Sequence, residues 1–135
     1  APRALLRRAR PGAGRVRQRG ITDVASQESF RQLVAAEGPP ALVFYTAAWC
    51  EPCRDMMPHI DDLSGRLEGP HLKILRVDVE ALAGLAREES VEAVPHFALH
   101  LGGHVVERLA GCGPEAVAEA AERHAAAHAE RLKKR

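Results

Sequence analysis

The sequence predicts an α/β domain, a central mixed β-sheet flanked by helices, and three observations lead there. Strand-like and helix-like segments alternate from Ile21 to about residue 132. The run Ala41-Leu-Val-Phe-Tyr-Thr46 is short, continuous and apolar, with the content of a strand covered on both faces. Two further strand-like segments flank Leu101-Gly-Gly103, a hairpin signature that adds antiparallel strands to a parallel sheet.

Ile21-Thr-Asp-Val24 reads as a short first strand. Ser26 is placed to cap a helix over residues 27–37, where Phe30, Leu33 and Val34 follow i, i+3, i+4 spacing. Gly38-Pro39-Pro40 stops that helix, and the 41–46 strand follows. A second helix begins at Cys50-Glu-Pro-Cys53, with Cys53, Met56, Met57, Ile60, Leu63 and Leu67 on one face. Pro58 lies inside it and removes the amide that would bond the Arg54 carbonyl, so a kink is expected. Residues 71–78 alternate as a strand, on which Arg76 and Asp78 read as a solvated pair. Residues 80–89 suit a short helix, with Glu88, Glu89 and Glu92 as plain acidic surface. Residues 95–100 and 104–109 are the arms of the hairpin, and Pro114 opens a long Ala/Glu-rich helix. The predicted order is β α β α β α β β α, one domain over residues 21–132.

A chain of 135 residues, 46% hydrophobic and 27% charged, has room for one ordinary core. No apolar run approaches the ~20 residues that cross a bilayer, so no membrane partner is expected. The net charge of +1 hides an uneven distribution. Residues 1–20 hold seven arginines and no Asp or Glu, and Arg131, Lys133, Lys134 and Arg135 make the other end basic. The first stretch, broken by Pro and Gly, reads as a disordered basic leader or linker. Its Arg-rich, acid-poor character also suits an organelle transit segment, although it contains no Ser. With no aromatic residue to stack on bases, it is not expected to bind nucleic acid. Three cysteines argue against a secreted disulfide scaffold and for a reducing compartment. The cytoplasm is the first choice, with mitochondrion or plastid raised by the Arg-rich end.

Two thiols two residues apart can exchange electrons, hold a metal or do neither. Here they lie between a buried strand and a helix start. A helix N-terminus offers unpaired amides and the positive end of its dipole, which favour an anion such as a thiolate. Cys50 is therefore expected to be exposed, acidic and nucleophilic, with Cys53 one turn inward to attack a mixed disulfide on it. Pro52 brings a φ already suited to a first helical turn. A zinc site needs four ligands and one Cys-x-x-Cys supplies two. No metal is expected, and an iron–sulfur cluster shared between subunits through Cys50 is the only other metal option. Cys112 reads as a small half-buried hydrophobe or a rim thiol, Met56 and Met57 as core, and His124 with His128 as a solvated helix face.

Trp49-Cys-Glu-Pro-Cys53, the helix proline Pro58, Val94-Pro95 before a strand and Gly111 after the hairpin together resemble the thioredoxin superfamily. The resemblance covers about residues 21–130, and Val94-Pro-His-Phe97 is also similar to the thioredoxin-like domain of multidomain monothiol glutaredoxins. It implies a thioredoxin-like fold and a protein-disulfide reductase with Cys50 as nucleophile and Cys53 as resolving thiol. It further implies a cis Val94-Pro95 peptide and a docking surface of Trp49, Pro52, Val94, Pro95 and Gly111. No cofactor follows from it; the partners would be protein disulfides and a thiol reductase or glutathione system. The chain departs from the family at Phe44 (a buried Asp there), Thr46 (Trp), Glu51 (Gly) and His96 (Thr). Phe44 cannot accept a proton, and the Glu51 carboxylate disfavours a thiolate beside it. His96 can face substrate or be a hydrogen-bonded structural residue, and Cys112 is a further modulator. The competing function is a docking module of a larger glutaredoxin-type protein with weak redox activity.

Overall fold

The structure, a computed structural model, describes residues 17–18, 20–35, 37–67 and 70–134. Its elements are β1 (Arg17–Gln18), β2 (Ile21–Asp23), α1 (Gln27–Ala35), β3 (Ala41–Thr46), α2 (Glu51–Leu67), β4 (Lys73–Asp78), α3 (Ala83–Glu88), β5 (His96–Leu101), β6 (His104–Ala110) and α4 (Pro114–Lys133). Most of the expected leader, residues 1–16 and 19, lies outside the described residues. Within its span, β1 pairs antiparallel with β2.

The strands form one sheet in the order β1-β2-β4-β3-β5-β6. β2, β4 and β3 run parallel, whereas β5 is antiparallel to β3 and β6 to β5. β3 alternates between two cores. Leu42 and Phe44 join Met56, Ile60 and Leu63 of α2 and Val117, Ala120 and Ala121 of α4. Val43 and Tyr45 join Phe30 of α1 and Leu85 of α3. The sheet is thus covered on both faces, and the continuous apolar run at 41–46 is its physical signature.

Local chemistry sets the boundaries. Ser26 caps α1 as expected, through reciprocal bonds in which each of Ser26 and Ser29 donates its amide to the other's Oγ at 3.1 Å. At the other end of α1, Lys73 Nζ donates to the Leu33 carbonyl at 2.7 Å and the Gly103 amide to that of Val34 at 3.2 Å. Gly102 and Gly103 turn the β5–β6 hairpin with φ of 62° and 85°, the sign that a two-residue turn of this hand requires. α2 is helical through Pro58. α3 starts later than residue 80 because Asp78 Oδ1 accepts the amides of Glu80 and Ala81 at 2.9 and 3.2 Å, holding a turn first. No helix among the described residues is long and apolar enough to cross a membrane.

Two sequence expectations change here. Arg76 does not pair with Asp78; its guanidinium reaches sideways to Asp23 of β2, at 2.6 and 3.0 Å, because β4 lies next to β2. His128 is buried rather than solvated, its Nδ1 3.1 Å from that of His71, since the loop before β4 packs over this turn of α4. His124 is partly buried and meets Glu107 at 2.9 Å.

On β5 the histidines at 96 and 100 face the α1/α3 side. His100 meets the edge of Phe30, and neither of its ring nitrogens has a partner. Burial, with the Arg108 charge second, pushes its imidazole down to about 4. An unfolded chain's histidine takes up a proton near pH ~6.5, so acid favours unfolding over the window from there to about 4. We expect His100→Leu to be neutral or stabilising at pH 7 and to remove about 1–3 kcal/mol of acid destabilisation across that window. Urea unfolding at pH 7, 5.5 and 4.5 checks this; equal pH dependence in parent and variant would refute it.

Candidate functional site

The five buried residues of β3, Ala41 to Tyr45, lead to Thr46 and Ala47, and the chain then turns tightly into α2. The Cys50 amide donates to the Ala47 carbonyl at 3.1 Å, and the Arg54 amide to the Cys50 carbonyl at 3.2 Å, which opens the helix. Cys50 is thus the N-cap. Its Sγ accepts the Cys53 amide at 3.2 Å, the place usually held by a Ser or Asp oxygen. Cys50 and Cys53 are joined by a disulfide, with Cα atoms 5.2 Å apart. A thiolate on Cys50 would meet that amide and the positive end of a helix from Glu51 to Leu67.

The expected exposure of Cys50 is not found in this bonded state. Cys50 and Cys53 are 3% and 1% exposed, packed into the core cluster that holds Phe44 and Phe97. Trp49 beside them is 63% exposed, and its indole N–H donates to Glu80 Oε2 at 2.6 Å. Pro52 and Glu51 are exposed on the outer side of the turn.

The Val94-Pro95 peptide is cis, and the Val94 carbonyl oxygen lies 3.8 Å from Cys50 Sγ. His96 pairs with Ala110 across the hairpin, which carries Gly111, at φ 70°, alongside Pro95. Trp49 and Pro52 thus flank Cys50 and Cys53 along the chain, and Val94, next to Pro95, approaches the Cys50 sulfur from β5's start. Cys112 is half-buried, its Sγ 3.7 Å from the Ala110 carbonyl. His96 is turned to the other core. Its ring packs edge-on to Tyr45 at 5.5 Å, and Nε2 accepts from Arg108 at 3.3 Å, since a guanidinium only donates. Burial, then the Arg108 charge, lowers its pKa. Of the two readings of His96, the hydrogen-bonded structural one describes its place.

Beneath the redox turn runs one cross-strand row: Asp23, Arg76, Phe44, Phe97, Leu109. Phe44 and Phe97 stack at 4.7 Å and 7°. Where a buried carboxylate could sit there is an aromatic pair. The other half of the row is ionic, and there the Asp23 hydrogen bond, the largest effect, raises the Arg76 pKa. A cleft of about 520 Å³ reaches Cys53 from that side, walled by Asp23, Arg54, Met57, Arg76 and Asp78. Sequence reasoning missed Asp23, Arg76 and Glu80 as neighbours of the site. Only opposite charges on strand-like segments hinted at the first two. Among the described residues no group of three or more His, Cys, Asp or Glu side chains could hold a metal ion.

A family model described as Thioredoxin matches residues 21–123. The chain is 38% identical over 85 residues to thioredoxin H-type 1 of Nicotiana tabacum, which covers 63% of this chain and 66% of that protein. To the H-type thioredoxin of Fagopyrum esculentum it is 38% identical over 74 residues, 55% of this chain and 62% of that protein. The chain thus spans less than two thirds of the length of these curated relatives. Among solved structures, oxidised mitochondrial thioredoxin 3 of Saccharomyces cerevisiae matches with a TM-score of 0.70 and 27% identity, over 76% of this chain and 94% of that one.

The aromatic pair generates a prediction. Phe44→Asp should destabilise the fold by about 3–5 kcal/mol, the cost of losing a buried ring, with more for a carboxyl left unpaired. Where it folds, it should speed resolution of a mixed disulfide near pH 7 and lose that advantage above about pH 9, where thiols ionise unaided. Phe44→Leu, which keeps the site dry, should not speed it. Stopped-flow decay of a mixed disulfide on Cys50 measures both. No gain in the folded Asp variant would show that Phe44 is not the brake.

Proposed function

The chain belongs to the thioredoxin family and has its fold, and from that premise we propose that it is a thiol–disulfide oxidoreductase that reduces protein disulfides through Cys50 and Cys53. The observation that carries the proposal is the Cys50 sulfur at the mouth of α2, bonded to Cys53 and accepting that residue's amide.

In the reduced protein the Cys50 thiolate attacks one sulfur of a substrate disulfide. A Cys50–substrate bond forms, the substrate S–S bond breaks, and the departing thiolate takes a proton. Cys53 then loses its proton and attacks Cys50 Sγ. The Cys50–Cys53 bond forms, the mixed disulfide breaks, and the second substrate thiol leaves. Two electrons have passed from protein to substrate, and a thiol reductase or glutathione system returns them. Sulfur carries every step, so the proposal includes no cofactor. Trp49, Pro52, Val94, Pro95 and Gly111 form the proposed docking face, whereas Glu51 places a carboxylate beside the attacking sulfur and slows it. Because the dithiol must be restored after each turnover, we propose a reducing intracellular compartment, the cytoplasm first.

A docking module with weak redox activity is the competing reading, supported by Phe44 and Thr46 at the departed positions. Two sulfurs already joined in a short loop at a helix start favour exchange chemistry.

Insulin reduction with dithiothreitol separates the two. The protein should accelerate precipitation well above the dithiothreitol background, Cys50→Ser should abolish this, and Cys53→Ser should trap insulin as a mixed disulfide. In the reduced protein Cys50 should alkylate before Cys53 and Cys112 near neutral pH. A parent protein no faster than background would leave the docking module.

A further inference from the structure

At the end of β5 away from Val94-Pro95 lies a concave site that the dithiol chemistry does not use. A cavity of about 460 Å³ is walled by α1, the end of α3 and the β5–β6 hairpin, a volume suited to a small molecule. Phe30 and His100 are its buried part, 2% and 3% exposed, with Val34 and Val105 beside them. Neither ring nitrogen of His100 has a hydrogen-bond partner. Buried polar groups are nearly always paired, so an unpaired imidazole lining a cavity calls for an explanation.

The backbone sets this arrangement. Leu99 stands opposite Glu107, but His100 stands opposite Val105, so β6 carries one extra residue between these pairs. Bulges of this kind re-aim side chains, and this one sets Val105 rather than Val106 across from His100. The Gly103 amide, on the Val34 carbonyl at 3.2 Å, ties α1 to the hairpin along the same wall.

The lining defines what fits. The Phe30 and His100 rings meet at 89° with centroids 5.6 Å apart, an aromatic corner that suits a third ring. Charge is unwelcome at that depth. Burial first, and Arg108 second, hold the imidazole down at about 4, so at pH 7 it is neutral and cannot balance an ion. At the mouth, Arg31 is paired with Glu88 at 3.4 Å and Glu88 also accepts Gln27 Nε2 at 2.6 Å. Glu89 adds a further negative charge, so an anion finds no cation to itself. A neutral imidazole presents one N–H donor and one lone pair, and a hydroxyl group matches either.

We propose that this cavity binds a small uncharged aromatic alcohol, its ring against Phe30 and its hydroxyl on His100. The site is separate from the two sulfurs and does not depend on their chemistry. It also gives a purpose to a histidine whose replacement by Leu should leave the fold no weaker at pH 7.

Phenol is the probe and benzene its analogue without the hydroxyl, each titrated at pH 7 into the isotope-labelled full chain and followed by NMR. Phenol should shift the signals of Phe30, Val34, His100 and Val105 saturably, with half-saturation in the millimolar range expected of so small a ligand. A purely apolar cavity would prefer benzene, which leaves water more readily. With a hydrogen bond to His100 the preference should reverse, phenol binding about fivefold more tightly. His100→Leu should bind benzene at least as well as phenol. Val105→Trp, made at an exposed position on the wall, should weaken both probes. Should His100→Leu fail to fold, Val105→Trp and the order of the two probes carry the test. No saturable shift at these residues, benzene binding as tightly as phenol in the parent, or phenol still preferred by folded His100→Leu would overturn the proposal. N-acetyltyrosinamide carries the same ring and hydroxyl on a peptide and should bind less well than phenol. Tighter binding would assign the cavity to a partner's tyrosine side chain and overturn the small-molecule assignment.

Discussion

β3 is walled in on both faces, and the redox turn takes its position from that burial. Ala41 to Tyr45 have no measurable exposure. Because Ala41 to Phe44 are apolar and buried on both faces alike, alternation of inside and outside residues cannot set its register. The strand ends do so instead. The Pro40 carbonyl accepts the Lys73 amide at 3.0 Å, and the Thr46 carbonyl accepts that of Val79 at 2.9 Å, so β3 and β4 are clamped at both limits. A slip would unmake both bonds and move the Phe44 ring out of its stack. Cys50 lies four residues beyond the clamp. Its sulfur is therefore placed by the centre of the sheet, not by a free loop.

The same burial joins stability to rate. An offset or stacked aromatic pair adds ~0.5–1.5 kcal/mol beyond the area it hides, and an unpaired carboxylate at that depth costs several. Phe44 against Phe97 is thus the more stable choice, yet it leaves a proton-bearing sulfur beside a dry wall. The charged residues of the row are displaced by one strand, to where water enters. There the bidentate Asp23–Arg76 pair contributes little to stability, since partly exposed ion pairs are worth ~0–1 kcal/mol.

The parts of this arrangement that could be read from the sequence are those made by neighbours in the chain. Ser26, the glycines at 102 and 103, Pro114 and the 41–46 run each act within a few residues, and each lies where its local chemistry says. Trp49-Cys-Glu-Pro-Cys53 is local too. Contacts across the sheet could not be read. Asp23 and Arg76 are 53 positions apart, and only the strand order makes them neighbours. His128 looked solvated because Ala and Glu surround it in sequence, while its partner His71 comes 57 positions earlier. Arg76 and Asp78 looked like a pair because side chains two apart on a strand share a face. Asp78, at the end of β4, turned to the backbone amides instead. Trp49 and Glu80, 31 positions apart, meet for the same non-local reason.

What distinguishes the two sulfurs is their surroundings more than their accessibility, for both are buried. The Cys53 amide is spent on Cys50 Sγ, so one residue supplies the hydrogen bond and the other receives it. The Val94 carbonyl, also near Cys50, opposes a negative charge there. It lies at 3.8 Å against 3.2 Å for the amide, and the helix end adds to the amide, so the balance favours the anion. Cys53 has no such donor and faces stacked rings, which favour the protonated thiol. In a reduced dithiol one negative charge therefore settles on Cys50, and a second on Cys53 is resisted both by burial and by the first. In the proposed reaction that asymmetry would put attack from Cys50 first, with Cys53 ionising after Cys50 has become neutral in a mixed disulfide. The cleft walled by Asp23 and Arg76 lies on the Cys53 side.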